Sequence, residues 1–298
     1  MNLRPAPIHF AWYERLAMRV LFALVLERHI PASLSHLTIT APNGVARIID
    51  VRFLLEPSVF AVGRSLLLAA LVLYVLRVGW SIALPYITLF SIGVGTIINS
   101  QGAISHYLQI VSLVLLAQTA AHFYSLSGKG KAAASEGLSR EDLLVNWSQQ
   151  TIAAVYLVSA LTKLIHTKGA WILQSPLIAV QIIKTTEQDY YDRLHPAGLQ
   201  AGLRVAEWIT LHPLLVMLIM TGGLVLELSA PLLLLGRGWA ACYGLALVAF
   251  HETVGRVMQL HFTYNEYLIW IYLVNVPFWV WLGWRRMRER FKRPDSAA

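Results

Sequence analysis

The sequence is poor in charged residues and contains a single cysteine. Asp, Glu, Lys and Arg make up 13% of the 298 residues, against roughly 25% in a typical soluble domain. The chain therefore cannot cover a water-facing surface in the usual way. Cys242 has no second cysteine with which to form a disulfide within the chain. The sequence also lacks a Walker loop, a GxGxxG motif, Cys/His metal spacing and an internal repeat, so no metal site is predicted.

Long apolar runs take the place of a charged surface. Hydrophobic residues make up 57% of the chain, and several runs approach or exceed the roughly 18–20 residues needed to cross a bilayer. The sequence therefore predicts an all-α, polytopic integral membrane bundle of about eight transmembrane helices, forming a single domain over residues 1–298. The predicted spans are 16–30, 57–76, 80–98, 106–126, 147–165, 213–235, 239–258 and 267–284. Because Arg15, Arg19 and Glu27 crowd the first run, an interfacial helix is the alternative there.

The distribution of Lys and Arg predicts the orientation of the chain. Six basic residues lie within 285–293, so residues 285–298 are interpreted as a basic cytoplasmic tail beside anionic lipid. This cluster contributes strongly to the net charge of +8, which is therefore not taken as a sign of nucleic-acid binding. Residues 127–146 are predicted to be a cytoplasmic connector loop. Both termini are expected in the cytoplasm, and the membrane is expected to be the cytoplasmic (inner) membrane of a bacterium.

Residues 166–212 form the longest predicted outer loop. Loops of this length rarely lack structure. Ser175-Pro176 and Pro196 are typical starts of helices, and apolar residues follow each of them at helical spacing. We therefore expect two amphipathic helices lying on the outer membrane surface. They would form a lid over a site that opens outward, or a simple solvated connector.

Ionisable residues within the apolar runs are the candidates for function, because a charge in a bilayer is costly. Lys163, His106 and His251 lie on different spans and are predicted to reach one outer layer. Glu227 is predicted to lie deeper, nearer the inner half. Each of these residues also has a purely structural explanation. Lys163 would extend its amine to water, and His106 would be a polar residue at the start of a helix. His251 would be a core histidine with its hydrogen bonds satisfied, and Glu227 would pair with an arginine or a backbone donor.

Together these groups would support proton transfer. A lysine desolvated by apolar walls loses its proton more easily, so its neutral amine can act as a general base near neutral pH. A nearby histidine can donate a hydrogen bond or shuttle the proton. A pocket facing the membrane suits an amphiphile such as a quinone, whose tail stays in lipid while its ring reaches the polar layer.

Three segments resemble the HTTM superfamily, which includes the vitamin K-dependent γ-glutamyl carboxylase. The first is Tyr156-Leu-Val-Ser-Ala-Leu-Thr-Lys-Leu164, followed by Gly169-Ala-Trp171. The second is Glu227-Leu-Ser-Ala-Pro-Leu-Leu-Leu-Leu235, and the third begins at Phe250-His251 and leads through Met258 and Phe262. Asn99 with Ser105-His106-Tyr107 is a looser match.

The resemblance implies a quinol-dependent carboxylase- or oxygenase-like lyase. It places Lys163 where the carboxylase has the base that deprotonates vitamin K hydroquinone, and His106 as the neighbour that assists the oxygenation chemistry. With His251, these are the predicted catalytic residues. The expected cofactor is a reduced quinone, and the expected partners are membrane lipid, a quinol and a secreted peptide or protein substrate. The predicted substrate-binding residues are Tyr107, Tyr156, Trp171, Glu227, Glu252 and Arg256.

Two other functions are alternatives. The chain could be a non-catalytic membrane partner in the maturation of a secreted peptide, or in immunity to one. It could also be a transporter, although the sequence lacks the paired half-helices and inverted repeats that are common in transporters.

Overall fold

The structure is a computed structural model that describes residues 8–102, 106–130, 137–194 and 196–291. These residues form helices and connecting segments, with no strand among them. The α-helices, in chain order, are α1 (Trp12–His29), α2 (Pro57–Leu76), α3 (Trp80–Asn99), α4 (His106–Leu126), α5 (Arg140–His166), α6 (Trp171–Gln174), α7 (Ile178–Arg193), α8 (Pro196–Leu211), α9 (Pro213–Leu228), α10 (Arg237–Met258), α11 (Thr263–Ile269) and α12 (Val276–Phe291). Short 3-10 helices cover Gly44–Arg47, Arg52–Leu55, Ser175–Leu177 and Ala230–Leu235.

Four helical segments of the described chain are long and apolar enough to cross a membrane. They are Pro57–Leu76, Trp80–Asn99, Leu108–Leu126 and the segment Thr263–Glu289. A fifth is reached if α8 and α9, which meet at an angle of 99°, count as one broken span. The predicted all-helical fold is confirmed for the described residues, and these apolar helices are compatible with an integral membrane protein. The number of about eight spans stays a prediction.

Helix α5 begins earlier than predicted, at the end of the supposed connector 127–146. The Ser139 hydroxyl accepts a hydrogen bond from the Asp142 amide at 3.1 Å, and the Asp142 carboxylate accepts one from the Ser139 amide at 3.1 Å. This reciprocal capping box fixes the first turn. Residues 140–146 are therefore helical, and the loop prediction was wrong for them. Residues 131–136 lie outside the described part of the chain.

Buried ion pairs join several helices at the N-terminal end of α5; we call this group the Glu141 cluster. The Glu141 carboxylate contacts Arg19 of α1 and lies 2.6 Å from Nε of Arg77, which caps α2. The neighbouring Asp142 accepts the Phe10 amide at 3.0 Å. Close by, Glu14 of α1 pairs with Arg237 at the start of α10. These contacts fix α1, α2, α5 and α10 at a common end of the bundle.

A polar network occupies the interior between these helices. Gln118 of α4 accepts a hydrogen bond from the Tyr74 hydroxyl at 2.9 Å. Its amide nitrogen lies 2.7 Å from the Tyr272 hydroxyl and 3.0 Å from Ser148 of α5. All four side chains are buried. Each polar atom therefore has a partner where water is scarce, which is the condition for polar groups in an apolar core.

The last predicted span, 267–284, is interrupted in its middle. A π-helical turn covers Trp270–Val274, and Asn275 adopts a left-handed conformation with φ of 52° before α12 begins. The Trp279 indole donates to the freed Val274 carbonyl at 2.9 Å. The helix then continues to Phe291, so the first part of the predicted tail 285–298 is helical. Residues 292–298 lie outside the described residues.

Helices α7 and α8 form a hairpin within the predicted outer loop 166–212. Their facing sides bury Ala179, Ile182, Ala206 and Ile209. The Thr185 hydroxyl donates to the Met258 carbonyl at 2.8 Å, which ties the hairpin to the end of α10. The two helices start close to the predicted positions, and their location at a membrane surface stays a prediction.

Candidate functional site

Lys163 and Glu227 form an ion pair between α5 and α9. The Lys163 ammonium lies 2.5 Å from the Glu227 carboxylate and 5.3 Å from the centre of the Trp171 ring. Side chains on an α-helix lean toward its N-terminus, and Lys163 accordingly reaches back into the bundle instead of extending outward to water. The pair is asymmetric, because 29% of the Lys163 side chain but only 6% of the Glu227 side chain is accessible.

The sequence predicts Glu227 to lie deeper than Lys163, near the inner half. Its carboxylate is in direct contact with the Lys163 ammonium, so the two charged groups lie at one level of the bundle. The position of that level within a membrane stays a prediction. Helix α9 ends at Leu228, and the chain continues as a 3-10 helix over Ala230–Leu235.

Tyr156 and His251 form a second buried pair. The Tyr156 hydroxyl lies 2.6 Å from Nε2 of His251, and both side chains are buried. Tyr156 comes 14 residues after Asp142, and His251 comes 14 residues after Arg237. Tyr156 and His251 therefore each lie about 21 Å along their helix from the end of the bundle that holds the Glu141 cluster. The Phe262 ring packs on His251 with centroids 4.7 Å apart.

Asn265 of α11 also contacts this pair and is not among the predicted site residues. Its amide lies beside the Tyr156 hydroxyl, and the side chain is buried. Among the described residues, the Asn265 Oδ1 and His251 Nδ1 atoms are buried without a hydrogen-bond partner. An amide two residues before the predicted span 267–284 was the available signal, since a buried amide requires a partner.

The two pairs are neighbours along α5, where Lys163 follows Tyr156 by seven residues, or two helical turns, and together they make up the candidate site. Lys163 lies near enough to His251, and Glu227 near enough to Tyr156, to interact electrostatically. The structure thus brings together an ammonium, a carboxylate, a phenol and an imidazole from α5, α9 and α10. Such a set can bind a hydroxyl group and pass its proton between neighbouring side chains. Trp171 and Phe262 provide apolar surfaces at this site.

Of the other predicted site residues, Glu252 and Arg256 do not join this group. Glu252 and Arg256 pair with each other across one turn of α10 at 3.0 Å, on a largely exposed face. The side chains of His106 and Tyr107 lie outside the described residues, although α4 begins at His106. Their predicted roles stay predictions.

Comparisons with known proteins provide no further identification. No protein-family model matches the chain, and neither the curated proteins nor the solved structures give a match. The resemblance to the HTTM superfamily therefore stays a prediction, based on the segments around Lys163, Glu227 and His251.

Proposed function

We propose that the chain is an eight-span protein of the bacterial cytoplasmic membrane, with both termini in the cytoplasm and the Lys163 site near the outer side. Residues 143–162 of α5 contain no charged side chain and extend for about 30 Å, the thickness of the hydrocarbon core. The Glu141 cluster lies at one end of this stretch and Lys163 at the other. This spacing supports α5 as a span, although its several polar residues lower its hydropathy.

The amphipathic hairpin formed by α7 and α8 is proposed to lie on the outer membrane surface. The 99° bend at His212 turns the chain from α8 into the apolar α9. Large apolar side chains of this region are exposed, among them Leu173, Leu177 and Leu203. Contact with lipid headgroups and the upper acyl chains would cover them.

The site is proposed to bind a quinol or a similar lipid-like phenol and to remove its hydroxyl proton. The observation that carries this proposal is the Lys163–Glu227 contact beside the Tyr156–His251 pair. A hydroquinone, when bound, supplies an acidic hydroxyl on a ring that is easily oxidised. Trp171 and Phe262 would contact the ring. The protein would then be a carboxylase- or oxygenase-like enzyme of the HTTM type.

The ion pair explains how Lys163 would become a base. While water reaches the pair, Lys163 holds the proton as an ammonium and Glu227 is a carboxylate. A ligand that covers the accessible side of Lys163 removes this water, and a dry environment favours uncharged groups over separated charges. As the ammonium proton moves to Glu227, the amine of Lys163 accepts the hydroxyl proton of the ligand, so the site holds one ion pair before and after the transfer. The Lys163 ammonium then stabilises the negative oxygen of the ligand, which replaces the Glu227 carboxylate as its counter-charge.

The test uses a short-chain naphthohydroquinone under anaerobic conditions, with the full chain in detergent. The wild type is expected to bind the probe and to show the absorption of its ionised form near neutral pH. Lys163→Met with Glu227→Gln keeps an uncharged pair of similar shape, so it should still fold but no longer ionise the probe. Asp189→Asn with Arg193→Gln removes an exposed ion pair of α7 and should behave as the wild type. Equal ionisation in the Lys163/Glu227 variant would contradict the proposal.

A non-catalytic partner of a secreted peptide is the second candidate. The exposed apolar residues of the 166–212 region favour it, because large apolar patches often mark interaction surfaces. This function would survive the Lys163/Glu227 double substitution and would be lost when residues 171–211 are replaced by an unrelated helical hairpin. The proton-transfer function predicts loss with the double substitution.

A further inference from the structure

A groove with a cavity volume of about 430 Å³ lies between α1 and the segment that joins α11 to α12. Its wall on α1 includes Ala17, Leu21, Leu24 and Arg28, which follow one another at intervals of four, three and four residues. This spacing places the four side chains on one face of the helix, and it is the spacing at which two packed helices interlock. Leu21 and Leu24 are 43% and 55% exposed, so much of this face is open to a further helix.

The interruption of the last predicted span forms the opposite wall. Trp270 and Val276 line the groove there and are 40% and 44% exposed. The Asn275 amide donates to the Trp270 carbonyl at 3.1 Å, and the Trp279 indole donates to the Val274 carbonyl at 2.9 Å. Irregular backbone is tolerated in a membrane when neighbouring groups satisfy its hydrogen bonds in this way. This wall therefore presents apolar side chains to whatever fills the groove.

Arg28 lies about midway across the bilayer in the proposed topology. Arg19 contacts Glu141 at the inner end of α5, and Arg28 follows nine residues later on α1, about 14 Å along the helix axis. The hydrocarbon core is roughly 30 Å thick, so this position is near its centre. The Tyr264 hydroxyl donates to the Arg28 carbonyl at 2.8 Å, which holds this end of α1 against α11.

Arg28 carries a charge for which the described residues provide no ion-pair partner. Its side chain is exposed, and the preceding Glu27 pairs instead with Arg64 of α2 at 3.0 Å. A charged side chain at this depth is costly unless it is paired. Acyl chains can fill the apolar part of the groove, but they have no group that pairs with a guanidinium. A second transmembrane helix can supply both an apolar face and a carboxylate.

We infer that the groove binds a transmembrane helix of a partner protein, an apolar helix with one Asp or Glu near its middle that pairs with Arg28. The inference rests on the membrane placement in the proposed function and not on the chemistry at Lys163. Ala17 leaves room for close approach, since small residues let helices pack tightly in membranes. The carboxylate accepts two parallel hydrogen bonds from the guanidinium. An apolar helix without the acid would leave Arg28 unpaired, so the charge selects the partner.

The test uses the full chain in phosphatidylcholine vesicles, with a fluorescent donor on the exposed Cys242. The probes are two synthetic apolar helices of about 20 residues, long enough to span the bilayer. Both carry an acceptor dye, and they differ only in a central glutamate or glutamine. Energy transfer measures binding. The wild type should bind the glutamate helix about tenfold more tightly, as expected for one polar contact between membrane helices. Arg28→Leu should abolish this preference, and Arg28→Lys should keep it.

Leu21→Trp fills the groove and should weaken the binding of both probe helices. Its matched control is Leu89→Trp, at a leucine of α3 that is 70% exposed and does not line the groove. The control for the charge is Arg47→Leu, at an exposed arginine between α1 and α2. Both control variants should bind the two helices as the wild type does.

The inference is overturned if the wild type binds the two probe helices equally, or binds neither of them because lipid fills the groove. It is also overturned if Arg28→Leu keeps the preference, or if Leu21→Trp weakens binding no more than Leu89→Trp does. None of these substitutions should change the ionisation of the naphthohydroquinone at Lys163. Failure of this inference and failure of the proposed function are therefore distinguishable.

Discussion

At the scale of single residues, Lys163 and Glu227 stabilise each other where neither charge would be stable alone. The Glu227 carboxylate is almost fully enclosed by α5 and α9, whereas the Lys163 side chain keeps an accessible side. Breaking a buried ion pair is costly because one charge is left without compensation. The cost should therefore depend on which partner is removed.

Lys163→Met should destabilise the protein more than Glu227→Gln does. The methionine leaves a buried carboxylate without a counter-charge, a loss of about 3–5 kcal/mol of unfolding free energy for such pairs. The glutamine leaves a lysine that can turn its amine toward water, so the loss should be smaller. The double variant should recover much of the stability. Thermal unfolding in detergent measures all three.

The exposed pair of Asp189 and Arg193 is the control for this series. Removing both charges there should change the unfolding free energy by less than about 1 kcal/mol, as for most surface ion pairs. If Lys163→Met and Glu227→Gln destabilise equally, with no recovery in the double variant, the ion pair is not the cause of the loss.

Tyr156→Phe should also destabilise the protein. It removes the hydroxyl that contacts His251 at 2.6 Å and leaves both imidazole nitrogens buried without a described partner. A buried unsatisfied polar group costs about 1–3 kcal/mol. Tyr191→Phe, at a tyrosine whose side chain is exposed, should have no measurable effect. Chemical or thermal unfolding distinguishes the two, and equal stability of the two variants would contradict the role of the pair.

At the scale of helices, apolar runs predicted where helices form but not where they break. The runs at 57–76 and 80–98 match α2 and α3 almost to the residue. The π-turn at Trp270–Val274 and the 3-10 helix at Ala230–Leu235 were not predicted. These residues are as apolar as those of a regular helix. Beside the π-turn, the Asn275 side chain donates a 2.6 Å hydrogen bond to the distant Glu14, a contact that the apolar pattern does not predict.

Gly202→Ala should loosen the α7–α8 hairpin. A methyl group at Gly202 would lie 2.3–2.7 Å from the Thr186 side chain, closer than packed atoms allow, so the helices must separate. Alanine is otherwise the better helix former. Gly198→Ala, on the same helix, meets its nearest atom at 3.9 Å and is the matched control. Hydrogen exchange should show faster exchange across residues 178–211 in Gly202→Ala alone. Equal protection in both variants would contradict the close contact.

At the scale of the whole molecule, two groups of charged residues lie at different levels along α5. The Glu141 cluster joins α1, α2 and α5 at one level, and the Lys163–Glu227 pair joins α5 and α9 at the other. The sequence predicted that Lys163 and His251 would approach one layer. It could not predict that Lys163 is the partner of Glu227, because Arg256 and other basic groups were equally available along the chain. Tertiary packing decides that choice.

The arrangement predicts that the two ends of α5 face opposite sides of the membrane. Arg140 and His166 are both exposed and lie 26 residues apart on the same helix, a separation of about 39 Å. Single cysteines at these positions, in a Cys242→Ala background because Cys242 is exposed, would report their sides. A membrane-impermeant maleimide should label His166→Cys in right-side-out vesicles and Arg140→Cys in inside-out vesicles. Labelling of both positions from one side would show that α5 does not cross the bilayer, and the reverse pattern would place the Lys163 site in the cytoplasmic half.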